Sequence, residues 1–510
     1  MMKKTLRIAV WLLLLIPIAT GCLSDPDSGR ITILHFNDLH GYLSPVRGVG
    51  GAARLATVID QVREENLATR PTLLLFAGDL LQGTPFSKTF KGSPTINFFN
   101  RIGLTAAAVG NHEFDFGQNN FGILIGTSQF PWLSANLKRG DTPYPGVRSS
   151  MVLQADNGLR IKIIGATTPG AVTEGMKENV AGLNIEDPIE AVRRQVESYG
   201  AGIDLVILLS HLGVATDREI AQKVPGIDLI VGGHNHNLEK EPIRVGKTMI
   251  VQAGDYGKYI GRADLRIDGG AVTLENYKMI PLDAEVSENQ EIAEMVKYYD
   301  DQVRGDLNKV VGNAAVELQG RREISRRTES NLADMVCDLV RKKVGADVVL
   351  LNGGSFRADI PAGPITMGEF ADAMPYHESV VAMVKVKGTA IRAALDHGLS
   401  LDPMDNPGRF PQVSGLRFEI DGDHAVNILV NGAPLQDDKI YTVATNQYVA
   451  QGGDGYTMFE TPVDRYISEH TIGQIVLDYL EQNESVAPKT DDRIRRIAPW
   501  SKKDDIDKAA

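Results

Sequence analysis

Cysteine is almost missing from this chain: 2 residues in 510, Cys22 and Cys337. A small module stapled by disulfides is thereby excluded, although an oxidising compartment is not. Positive charge is also in deficit, with 53 Lys and Arg against 65 Asp and Glu, for a net charge of -12. Proteins that grip a nucleic-acid polymer need a basic face, so no such partner is expected, and any phosphate bound here must be neutralised locally or by cations. Long apolar runs are missing too, apart from one near the start. A hydrophobic content of 43% rules out general disorder, and 510 residues at about 150 per domain give two to four domains with full cores.

The one apolar run, residues 8–19, follows Lys3, Lys4 and Arg7 and is short for a membrane span. It reads as an export signal occupying 1–22. It ends in Ala19-Thr20-Gly21-Cys22, which resembles a bacterial lipobox and makes Cys22 the expected lipidation site. Leu23 rather than Asp follows, which in a Gram-negative cell points to the outer membrane. The expected location is therefore outside the cytoplasm, lipid-anchored to the cell envelope.

From 30 to 285, short apolar runs alternate with amphipathic segments. Strands are expected at 31–36, 72–77, 106–109, 161–164, 205–209 and 229–231, with helices at 51–66 and 187–198. This is an α/β fold, a layered sandwich. A linking helix over 286–311 carries Ile292, Met295, Val296, Tyr299, Val303 and Leu307 at helical spacing. A smaller α/β domain follows over 312–497, with a helix at 331–344 and strands near 348–351, 380–386, 416–420 and 441–445. The residues 498–510 form a polar tail.

In such folds ligands sit beyond the carboxyl ends of the strands, so the polar residues after each run carry the chemistry. Those segments are Asn37-Asp38-Leu39-His40-Gly41, Gly78-Asp79, Gly110-Asn111-His112-Glu113-Phe114-Asp115, Ser210-His211 and Gly232-Gly233-His234-Asn235-His236. Five of the 10 histidines fall in them. Carboxylate, amide and imidazole donors converging from several loops suit hard and borderline divalent metals. Residues two apart in an extended segment face the same way, so Asp38 with His40, and His234 with His236, are each expected on one side. His112 stands beside Asn111, close enough to reach a bound phosphate, and Asp115 three residues on can orient it. Glu113 reads as structural.

These motifs, HFNDLHG at 35–41, GD at 78–79, GNHEFD at 110–115, SH at 210–211 and GHNH at 233–236, resemble those of the 5′-nucleotidase and UDP-sugar hydrolase family. The resemblance implies a four-layer-type α/β sandwich of the calcineurin-like metallophosphoesterase kind, joined by a helix to the smaller substrate-binding domain. It also implies two divalent metal ions (Mn, Zn, Co or Fe). Asp38, His40, Asp79 and His236 would hold one, and Asp79, Asn111, His211 and His234 the other. Relatives vary at the position of His236. His112 would stabilise phosphoryl charge or the leaving group, held by Asp115.

The second domain supplies selectivity. Asn352-Gly353-Gly354-Ser355-Phe356-Arg357 places an arginine after a Gly turn at a strand end. The run Arg321-Arg322-Glu323-Ile324-Ser325-Arg326-Arg327 reads by itself as a solvated face. The family resemblance selects Arg326, with Arg327 as fallback, and adds Asn352, Gly353 and Arg357 as substrate contacts. It implies that Phe410 and Tyr448 clamp a nucleobase, at roughly 1–3 kcal/mol per ring, and that Asp454 receives the ribose hydroxyls.

The implied activity is hydrolysis of nucleoside 5′-monophosphates to nucleoside and phosphate by attack of metal-bound hydroxide. Nucleoside di- and triphosphates and UDP-sugars remain open as substrates. The alternatives are a 2′,3′-cyclic-nucleotide phosphodiesterase or thiosulfohydrolase of the same superfamily, or a non-catalytic surface binding protein. Oligomeric state is left open.

Overall fold

The computed structural model describes residues 29–498 except 47, 68–69, 83, 174–175, 199–201 and 401–407. The expected export signal, Cys22 and all of the tail but residue 498 lie outside the described residues.

Two sheets stack face to face in the first half. One has the spatial order Ala271–Pro281, Tyr259–Asp268, Arg30–Phe36, Thr72–Phe76, Ala106–Ala108, Trp132–Leu133, Val147–Arg148. The other runs Ile243–Val245, Thr248–Val251, Leu229–Val231, Leu205–His211, Arg160–Thr167, Ser150–Gln154. Alternation along each strand divides its side chains between two cores. Ile31, Ile33, Leu73 and Leu75 meet Ile161, Ile163, Leu205 and Ile207 between the sheets. Leu34, Phe36, Leu74 and Phe76 face outward against the helices Ala52–Asn66, Ser93–Arg101 and Gln290–Leu307. Ile164, Val206, Leu208 and Ile230 face the helices Pro188–Glu197 and Val214–Lys223. Layers therefore run helix, sheet, sheet, helix. Strands covered on both faces read as continuous apolar runs, which is why the sequence exposes them so clearly.

The helix Gln290–Leu307 starts at Asn289, whose side chain accepts from the Ile292 amide. It buries Ile292, Met295, Val296 and Val303 in the first domain's core and also touches the second domain's helix Met367–Ala373. The second domain is built on a five-stranded sheet ordered Pro411–Ser414, Val348–Asn352, Ile440–Asn446, Val380–Lys387, Asp464–Thr471. Helices Asn331–Val344 and Ile472–Gln482 cover one face and Gly388–Leu399 the other. Ion pairs Lys88–Glu378 (2.5 Å) and Lys177–Glu460 (2.8 Å) join the two domains.

Candidate active site

The polar loops meet at the carboxyl ends of the central strands of both sheets. Asp38, His40 and His236 each offer a ligand atom within 4.8 Å of the others, and so do Asp79, His211 and His234. Asp79 Oδ2 lies 3.1 Å from His211 Nε2 and 3.8 Å from His40 Nε2, between the two groups. Asn111 Oδ1 stands 3.2 Å from His211 Nε2 and 3.2 Å from His234 Nδ1. The seven residues expected as ligands are thus brought together.

They do not converge by the geometry expected from the sequence. Asp38, His40, Asp79, His234 and His236 are not extended: their φ values are 50°, 49°, 62°, 83° and 60°, all left-handed. Each such residue costs of order 1–3 kcal/mol unless the surroundings hold it. Here the Asp38 amide donates to Gly78 O, the His40 amide to Asp79 O and the His234 amide to Asp38 Oδ2, each at 3.0 Å. His234 and His236 turn to different groups rather than to one side.

The donor chemistry calls for cations. His40 Nδ1–H donates to Leu81 O (3.0 Å) and His236 Nδ1–H to Asp255 Oδ2 (2.9 Å), so both Nε2 lone pairs point inward, 3.1 Å apart. Asp38 Oδ1, buried and without a hydrogen-bond partner among the described residues, lies 3.3 Å from His236 Nε2. Three electron-rich atoms aimed at one point repel unless a cation sits among them. In the other group, desolvation opposes charge on His211, yet the Asp79 carboxylate outweighs it and pushes the pKa to about 10. A field that holds a proton there also favours a metal ion. The residues fit a pair of divalent cations.

His112 donates its Nδ1 proton to Asp115 Oδ2 at 2.7 Å. Burial works against its charged form, but Asp115 and Asp79 hold its pKa well above the usual imidazole range. A charged imidazolium beside the donors can give a hydrogen bond or proton to an anion. Glu113 joins two of the ligand loops: its carboxylate accepts from the Gly110, Asp79 and Leu80 amides at 2.5, 3.2 and 2.7 Å.

From the second domain come guanidinium groups. Desolvation and then the positive charges of Arg322, Arg357 and Arg326 depress the His236 pKa, so all three reach the site electrostatically. Arg326 is buried, as is Arg322 Nε, so these two depart from the solvated face the composition suggests, while Glu323 and Arg327 remain exposed. Arg357 donates from Nε to Gly354 O (3.1 Å) and from Nη2 to Tyr376 OH (3.3 Å). Gly353 packs so tightly on the end of the Arg326 segment that a Cβ would stand 2.2 Å from Ser325 O. Asp454 accepts from Asn352 Nδ2 and Tyr448 OH, each at 2.7 Å. Phe410 departs from expectation: it is 0% exposed and packs in the second domain's core, so neither ring face is open to a base here.

Sequence reasoning missed Arg322, Tyr376, Tyr256 and Asp255. The last two follow the strand Thr248–Val251, where the strand-end rule would have found them; the other two carry no local signal.

Residues 31–238 match the calcineurin-like phosphoesterase family and 310–461 the 5′-nucleotidase C-terminal domain family. A 5′-nucleotidase of Diplobatis ommata is 32% identical, over 91% of this chain and 89% of its own. The crystal structure of a 5′-nucleotidase precursor from Thermus thermophilus superposes with a TM-score of 0.85 at 30% identity, covering 92% of this chain and 100% of that one. The sulfate thiohydrolase SoxB of Thermus thermophilus has a TM-score of 0.79 at 20% identity, over 92% and 97% of the two chains, a likeness of fold alone.

Proposed function

Because the chain belongs to the 5′-nucleotidase family and is a phosphohydrolase of that type, we propose that it cleaves nucleoside 5′-monophosphates to nucleoside and phosphate, using two divalent cations. The observation that carries this reading is the meeting of two buried donor groups on either side of Asp79, toward which Arg322, Arg357 and Arg326 of the other domain direct positive charge. Asp38, His40 and His236 would hold one cation, Asn111, His211 and His234 the other, with Asp79 shared. When bound, such a pair acidifies a water and neutralises phosphoryl oxygens.

The chain's own groups do the rest. Arg322, Arg326 and Arg357 draw the phosphate to the site and fix its orientation. His112, kept charged and aimed by Asp115, donates to the phosphoryl or leaving-group oxygen as negative charge develops there. Asp454, with its carboxylate already engaged by Asn352 and Tyr448, offers its remaining lone pairs to the ribose hydroxyls. The nucleotide reading is favoured over a thiosulfohydrolase by the Asp454 cluster, which has no use for a substrate without a sugar.

The test is hydrolysis of AMP, ATP, UDP-glucose, a 2′,3′-cyclic nucleotide and a thiosulfonate, with the nucleoside, nucleotide, phosphate and sulfate products identified, after chelation and reloading with Mn²⁺, Zn²⁺ or Co²⁺. Preference for AMP is expected; turnover of the cyclic nucleotide or thiosulfonate alone would overturn the assignment. The proposed export and lipid anchor are tested by Cys22→Ser, which should release the protein from the membrane fraction.

A further inference from the structure

We propose that Asp255 is a positioning residue for one metal site only, the one formed by Asp38, His40 and His236. The inference rests on the metal-dependent reading above. Asp255 lies in the loop that leaves the strand Thr248–Val251, the parallel neighbour of Leu229–Val231, whose own end carries His234 and His236. Its Oδ2 accepts the His236 Nδ1 proton at 2.9 Å, which leaves the Nε2 lone pair turned toward Asp38 Oδ1 and His40 Nε2. Its Oδ1 is held by Lys258 Nζ at 2.8 Å, and that ammonium stands 4.8 Å from the Tyr256 ring centre. The Tyr256 amide donates to Asp38 O at 2.8 Å, so the same short loop is tied to two of the three donors.

The anchor differs in kind from those of two other ligand imidazoles, although His112 is likewise held by a carboxylate, Asp115. His40 and His211 give their Nδ1 protons to backbone carbonyls, Leu81 O and Ala77 O, which are neutral. A carboxylate holds the ring more firmly and makes the opposite nitrogen a better donor. Asp255, its other oxygen paired with Lys258, fixes the ring of His236 and acts on this position rather than on the one at His211 and His234.

The experiment is titration of Mn²⁺ into the chelator-stripped full chain by calorimetry, with metal content measured after gel filtration. Wild type should take two ions. Asp255→Ala should keep one at its original affinity and weaken the other on the order of 10–100-fold. Asp255→Asn, which keeps an acceptor but not the charge, should fall between them. The melting midpoint of the stripped protein should not move. Unchanged binding of both ions, equal weakening of both, or weakening accompanied by a lower midpoint in both variants would overturn the assignment. A wild-type protein that binds no Mn²⁺ would instead remove the metal-dependent reading, and this one with it.

Discussion

Asp115 holds His112 by a 2.7 Å hydrogen bond at Nδ1, and so leaves Nε2 of an imidazolium as the group turned away from its anchor. The pair is local, three residues apart, yet it sits beside a donor cluster assembled from loops as much as 196 positions apart from one another in sequence. A ligand atom of His112 also lies within 4.8 Å of those of His40 and Asp79, so the first prediction distinguishes a proton donor from a metal ligand.

His112→Ala should retain both metal ions and lose roughly 10²–10⁴-fold in turnover, the usual scale for a positioned acid. Asp115→Asn should lose less, because the amide can still accept the Nδ1 proton. Metal content measured beside kcat checks this; a His112 variant that binds one ion fewer would make His112 a ligand.

Asp79 faces both donor groups through one oxygen. Asp79→Ala is therefore expected to weaken both ions, unlike a change at His234 or His236, which should weaken one. Elemental analysis of the three variants after identical dialysis decides it. Chelation of wild type should abolish phosphate release and added divalent metal should restore it.

Acid stability should depend on His35. Both its ring nitrogens are buried without hydrogen-bond partners among the described residues, and Nε2 packs where a Cβ on residue 261 would stand, 2.0 Å away. Burial drives its pKa from 6.5 down to about 3. Between those values the unfolded chain takes up a proton that the folded one refuses, so this contribution is intact above pH 6.5 and lost as pH falls toward 3. His35→Leu should reduce the loss of unfolding free energy between pH 7 and pH 5 by about 2 kcal/mol. Denaturant unfolding at the two pH values measures it, and equal losses in both proteins would refute it.

Phe410→Ala should cost about 3–5 kcal/mol of stability, since the ring is wholly buried among apolar neighbours. Chemical denaturation reads this directly. Tyr448→Phe removes a hydroxyl that donates to Asp454 Oδ1 and accepts from the Asp454 amide, so it should cost about 1–3 kcal/mol of stability and raise KM for AMP more than for a small artificial phosphate ester.

Much of the site was legible because its donors are polar residues placed directly after buried strands. Asp38, His40, Asp79, Asn111, His234 and His236 all follow that rule, His211 is the last residue of its strand, and a strand covered on both faces announces its end as an abrupt change from apolar to polar. The sequence by itself thus determined which groups are available and which layer each strand serves. It did not determine backbone conformation at the ligands: five of them are left-handed, which residue type does not encode when hydrogen bonds from other loops impose it. Tertiary structure alone decided that Asp255 reaches His236, that Arg322 is half-buried, and that Phe410 is core. The reason is common to all three. Burial and charge pairing depend on which surfaces meet after folding, and a residue's type and spacing record only what it could offer to such a meeting.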